Sequence, residues 1–234
     1  MPPLHALDTW SERTETAPIA PRGHCFLIAE GANTELWYLS ELATRYSKKN
    51  LPRNIELVPI KREGDEANDS NPRKLLEQAE RIKDGKTDIS YNQKLDRFLF
   101  IFDLDIYKND ERHYREDLIA FKTYGDESIA VTNPSFELYL LLHKDGTYER
   151  IVKPQHEEIL ANKYADHSRQ RLIAKLANEE LGANLKKNKR AVEELVVQFE
   201  TACRQEANLN QDPEVAISML TSNVGAALSS VINK

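Results

Sequence analysis

Cysteine is scarce in this chain: among 234 residues only Cys25 and Cys203 occur, one in a stretch that reads as a strand and one in a stretch that reads as a helix. Two thiols so placed support neither a disulfide framework nor a cysteine-based zinc site. The 6 histidines show none of the paired spacing that an imidazole-bound metal needs. Long hydrophobic runs are missing too. None reaches the roughly 18 residues that cross a bilayer, and the opening "MPPLHALDTWSERTETAPIAPRGH" lacks a basic flank followed by an apolar stretch. The pattern is that of a cytoplasmic protein without membrane contact, and residues 1–22 read as a flexible arm. No internal repeat, low-complexity tract or aromatic stacking platform stands out. Nor is there an excess of positive charge. A net charge of −6 argues against a surface that grips nucleic acid everywhere, because non-specific binding is largely phosphate neutralisation. Local basic tracks remain at "RYSKKNLPR" (45–53) and "LKKNKR" (185–190), where an ordinary solvated helix end is the plainer explanation.

What is present is alternation. Short β-type runs at 25–29, 55–60, 97–102 and 128–132 are separated by helical patterns near 34–47, 72–84, 111–122 and 134–143. This predicts an α/β fold, a mostly parallel sheet flanked by helices. "CFLIA" and "RFLFIF" are continuously apolar, as strands buried on both faces are, and mark the centre of the sheet. Asn71-Pro72 and Asn133-Pro134 each place a capping side chain before a proline suited to the first helical position. "REGDEANDSN" between the second strand and second helix reads as a mobile loop. After about residue 150 the strand signal ends, and helices are expected near 155–163, 167–181, 188–207 and 213–232. In the third of these, Val192, Leu195, Phe199, Ala202 and Cys203 form one apolar stripe, read as core or interface. The organisation expected is an arm (1–22), a catalytic α/β domain (23–150) and an all-helical C-terminal region (151–234).

Ligands of open parallel sheets bind beyond the carboxyl ends of the strands, which directs attention to Glu30, Asp103 with Asp105, and Thr132 with Asn133. Three carboxylates meeting on one edge repel each other unless a cation or shared proton intervenes. Magnesium, or manganese in its place, suits them, since it takes oxygen ligands and meets few carboxylates beside a substrate phosphate. In an extended chain the side chains of "FDLD" at 103 and 105 point the same way. The plainer alternative is that Glu30 favours a positive helix end and that the aspartates cap the next segment. Gly31 lets backbone approach a bound ion or phosphate, though a glycine is common in any strand-to-helix turn.

The segments "IAEGANTELWYL", "FLFIFDLDIY" and "TNPSFELYLLLH", in this order, resemble the RloB-like family of Toprim-domain proteins, relatives of the OLD-type and AriB-type nucleases of bacterial anti-phage systems. The likeness spans about residues 25 to 145, and "TSNVGAALSSVI" resembles the family's ending more weakly. The resemblance implies that Glu30 is the Toprim glutamate, a metal ligand or general acid/base, and that Asp103 and Asp105 are its metal-binding pair. Glu35 matches the second acid of the first motif, and a favourable charge in the first helical turn accounts for it equally. Glu137 matches the third motif and is a site candidate, whereas Asn133 is explained as a cap and Phe136, Leu138 and Leu140 as core. His143 is a base or, more simply, a satisfied structural histidine. Lys186 or Lys187 is expected to offset the charge of the scissile phosphate, as lysines do in OLD-type nucleases.

The activity implied is metal-dependent hydrolysis of phosphodiester bonds in DNA or RNA, tRNA included, by the toxic effector of an abortive-infection system. The partner implied is an ABC-type or AAA-type ATPase, with the helical region as docking surface or homodimer interface. Three rivals stand beside it. A haloacid-dehalogenase-type phosphatase also uses Asp-x-Asp, but after its first strand and followed by Thr or Val, where this chain has Tyr107. A receiver-like domain with Thr132 as switch needs a fifth strand followed by a lysine, for which no run is found. The third rival is a non-catalytic binding subunit of a defence complex.

Overall fold

The computed structural model describes residues 23–47, 55–61, 71–108, 110–165 and 169–233. The expected arm, the loop at 62–70 and most of the basic track at 45–53 lie outside the described residues. Five strands, β1 (Gly23–Ala29), β2 (Ile55–Ile60), β3 (Arg97–Asp103), β4 (Ile129–Asn133) and β5 (Thr221–Ser222), form one sheet in the order β2-β1-β3-β4-β5. The first four are parallel, and β5 joins β4 antiparallel. The helices are α1 (Thr34–Ser47), α2 (Arg73–Lys83), α3 (Glu111–Lys122), α4 (Glu137–Leu141), α5 (His156–Ala161), α6 (Leu172–Leu181), α7 (Lys189–Leu195), α8 (Phe199–Glu206) and α9 (Val224–Ile232). The chain is thus an α/β protein with a mostly helical C-terminal part. Among the described residues no helix is long and apolar enough to cross a membrane.

The two apolar runs lie side by side as β1 and β3, and alternate residues feed opposite faces. Phe26, Ile28, Phe98, Phe100 and Phe102 pack with α2 and α3 through Leu75, Ile82, Tyr114 and Phe121. The Phe102 and Phe121 rings stack with centroids 4.7 Å apart. Leu27, Leu99, Ile101 and Ala130 face the other way, where α1 and α4 meet the C-terminal helices through Leu42, Leu138, Val192, Phe199 and Leu228. The stripe expected on the third C-terminal helix is therefore core.

Local polar bonds explain where the helix boundaries depart from expectation. Asn71 caps as predicted, its Oδ1 accepting the Arg73 N–H at 3.0 Å. Asn133 does not cap. Its amide donates to the carbonyls of Ala216, Ile217 and Met219, and the helix expected from 134 starts only at Glu137. The helix expected over 188–207 is interrupted by a 3-10 turn at Val196–Gln198, which keeps the apolar stripe inward. The one expected over 213–232 is instead a 3-10 segment at Pro213–Ser218, then β5, then α9. Asp212 fixes the start of that segment by accepting the Glu214 N–H at 2.9 Å. Asn223 accepts the Val131 N–H at 2.7 Å and donates to the Ile129 carbonyl at 2.9 Å, so a side chain stands in for a neighbouring strand. A two-residue strand has no period that sequence inspection can detect.

Candidate active site

The carboxyl ends of β1, β3 and β4 open on one rim. Glu30 carries the β1 ladder one residue further, its N–H donating to the Ile101 carbonyl at 2.9 Å. That bond pins it beside β3, and Glu30 Oε2 accepts the Asp103 N–H at 3.1 Å. Thr132, at the same level of β4, donates its hydroxyl to Asp103 Oδ1. Burial pushes the Asp103 carboxyl well above the usual carboxylate range, and the charges of Glu30, Glu35 and Glu137 push it further, against the Thr132 bond. Glu35 reaches this group by folding back over Gly31, where a Cβ would collide with the Glu35 carboxylate. A side chain at position 31 would displace the flexible Glu35 carboxylate from this place beside Asp103.

The chain does not stay extended through Asp-x-Asp. Leu104 turns it with ψ near 0°, and Asp105 opens a 3-10 turn, so the alternation argument fails there. Both aspartates still line one cleft of about 670 Å³. Their charged neighbours differ, however. The cleft wall raises the Asp105 carboxyl, the Arg171 guanidinium opposes that, and Glu137 and Lys186 act more weakly in opposite senses.

Glu137, the first residue of α4, is buried; its Oε2 accepts the Ser135 hydroxyl at 2.7 Å and Lys186 Nζ stands 3.4 Å from its Oε1. The Glu137 charge in turn holds the Lys186 ammonium above its ordinary pKa. Lys186 sits between α6 and α7 next to the buried Leu185, whose N–H donates to Asn178 Oδ1 at 2.9 Å. The cleft is therefore lined by four carboxylates, Glu35, Asp103, Asp105 and Glu137, and by four cations, Arg169, Arg171, Lys186 and Lys187, with Lys186 paired to Glu137.

Arg169 and Arg171 were not expected from sequence, because two arginines separated by one residue make no charge run. Arg171 is held by its Nη1 bond to the Asn162 carbonyl at 3.3 Å and lies 4.4 Å from the Tyr164 ring centroid. His143 is elsewhere, inside the helical layer. Its Nδ1–H faces the Tyr139 and Leu140 carbonyls, and its Nε2 accepts the Tyr38 hydroxyl at 2.9 Å, which makes it structural.

The oxygen-only donors and their mutual crowding suit a hard divalent cation in kind. Their present rotamers do not close a cage: among the described residues no three His, Cys, Asp or Glu side chains are grouped to hold a metal ion.

A family model described as RloB-like protein matches residues 25–233, nearly the whole chain. No curated protein and no solved structure matches it.

Proposed function

Because the chain belongs to the RloB-like family, we propose that it is a magnesium-dependent nuclease, a cytoplasmic effector of anti-phage defence that works beside an ATPase. The observation that supports this reading is the cleft at the strand ends, lined by four carboxylates and four cations together. Glu30, Asp103 and Asp105 would hold the cation, with Glu35 and Glu137 beside them. A divalent ion bound there supplies Lewis acidity and a water of lowered pKa. The chain's own part is electrostatic. Lys186 and Lys187 offset charge on the phosphate being cut, and Arg169 and Arg171 hold the strand through phosphates, for which a guanidinium's fork is suited. Glu30, fixed by its backbone bond to Ile101, orients the Asp103 peptide through Oε2.

The phosphatase alternative fits less well. Asp103 ends the third strand in chain order rather than the first, and the position where that class carries Thr or Val holds Tyr107, buried with its hydroxyl donating to Asp117 at 2.7 Å. The binding-subunit alternative draws on the engagement of Asp103 by Thr132 and of Glu137 by Ser135 and Lys186.

One assay separates these readings. Purified protein, with and without the ATPase, is incubated in magnesium with plasmid, single-stranded DNA and total tRNA. Cutting that stops in excess EDTA, falls at least about 100-fold in Glu30→Ala and in Asp103→Asn, and drops in the Lys186→Ala/Lys187→Ala double variant is the expected result. Undiminished cutting by Glu30→Ala would remove the proposal.

A further inference from the structure

A second hollow of about 310 Å³ adjoins the cleft, and the two share Asp105, Asn162 and Arg171 as common wall. They are two chambers of one groove with Arg171 at the joint. The smaller chamber differs in chemistry from the larger. Leu104, Pro134, Leu160 and Ile217 give it apolar sides, and Lys108 and Glu157 also line it. Its far wall is the 3-10 segment ending at Ser218, and what fixes that wall is the Asn133 amide, which donates to the Ala216, Ile217 and Met219 carbonyls at 2.8, 3.2 and 3.0 Å. The Asn-Pro pair of the third motif, which neither caps α4 nor joins the carboxylates, thus builds this chamber.

Resting on the nuclease reading, we infer that the second chamber holds one unpaired nucleotide next to the bond that is cut, so that the substrate is a single strand or an unpaired segment. Three features carry the inference. The volume lies at the low end of ligand pockets, about 300 to 1,000 Å³, a size that matches one base with its sugar. The apolar sides suit the faces of a base taken out of its stack. Two cations line the chamber: Arg171 donates to the Asn162 carbonyl at 3.3 Å and Lys108 to that of Ala161, so both are fixed in place. A guanidinium has five N–H groups and an ammonium three, which leaves donors for phosphate after those bonds.

The test uses the full chain, with calcium in place of magnesium to hold cutting back. Fluorescence anisotropy measures binding of labelled DNA and RNA oligonucleotides, single-stranded and annealed. The wild type is expected to bind the single strand about tenfold more tightly than the duplex, and Ser218→Trp, which fills the chamber from its exposed rim, to erase that preference. The same ring placed on Ile119, 69% exposed on α3, is expected to leave the preference intact. Equal binding of duplex and single strand by the wild type overturns the inference, as does full single-strand affinity in Ser218→Trp or an equal loss in Ile119→Trp. A single-strand preference followed by no cutting when magnesium is restored supports the chamber and removes the nuclease.

Discussion

His143 shows how burial decides the role of a single residue. Held among Tyr38, Tyr139 and the α4 carbonyls, its ring loses solvation, and its pKa falls from 6.5 to about 4. The fold therefore holds it neutral, while an unfolded chain protonates it below 6.5. Its contribution to stability is fully present above that value and is lost as pH falls towards about 4, at no more than about 1.4 kcal/mol per pH unit. His143→Phe keeps a ring but removes the titration, so urea unfolding of the variant should show a flatter decline over that window than the wild type. The residues of the candidate site divide in the same way into those whose place at the rim is legible and those whose place is not. Glu30, Asp103 and Asp105 could be read because a strand-end acid has a meaning that sequence position conveys. Arg169 and Arg171 could not, since what brings them to the rim is tertiary: they precede α6, which packs on α4, and Arg171 is tied to the Asn162 carbonyl.

Among the elements, α9 depends most visibly on a partner far away in sequence. The Glu206 carboxylate, buried at the end of α8, accepts the Ser222 hydroxyl and the N–H groups of Gly225 and Ala226, at 3.0 and 2.8 Å for the two amides. It caps a helix that lacks a side-chain cap of its own. Glu206→Ala leaves buried donors unmet and should lower stability by about 2 to 4 kcal/mol in chemical denaturation, with Glu206→Gln losing less. Loss of under about 0.5 kcal/mol in the alanine variant would show that water replaces the carboxylate. Bonds of this sort are why the C-terminal boundaries were the hardest to foresee. Periodicity locates β1, β3 and α3 because their partners are a whole layer, whereas β5 answers to single polar contacts such as those of Asn223.

At the level of the molecule, the C-terminal helices complete one face of the sheet. Leu27, Leu99 and Ala130 share a core with Val192, Phe199 and Leu228. A chain ending at residue 150 bares that face, and each large side chain returned to water forfeits about 1.5 to 3 kcal/mol. Such a fragment is expected to lack a cooperative thermal transition by near-ultraviolet circular dichroism. A sharp transition would mean that α1 and α4 suffice to cover the sheet. The alternation that predicted an α/β architecture left this dependence hidden, because a stripe such as Val192, Leu195 and Phe199 reads the same whether it meets a sheet or another helix.

The short β5 and the Asn223 side chain together close one margin of the sheet, and at the opposite margin β2 carries Pro59, which has no N–H to give. A sheet margin covered in this way by a short antiparallel strand and a side chain is a poor template for strand exchange or fibril growth. Copies of this chain that self-associate would accordingly not do so by adding a strand beyond β5, leaving the ladder at that margin intact.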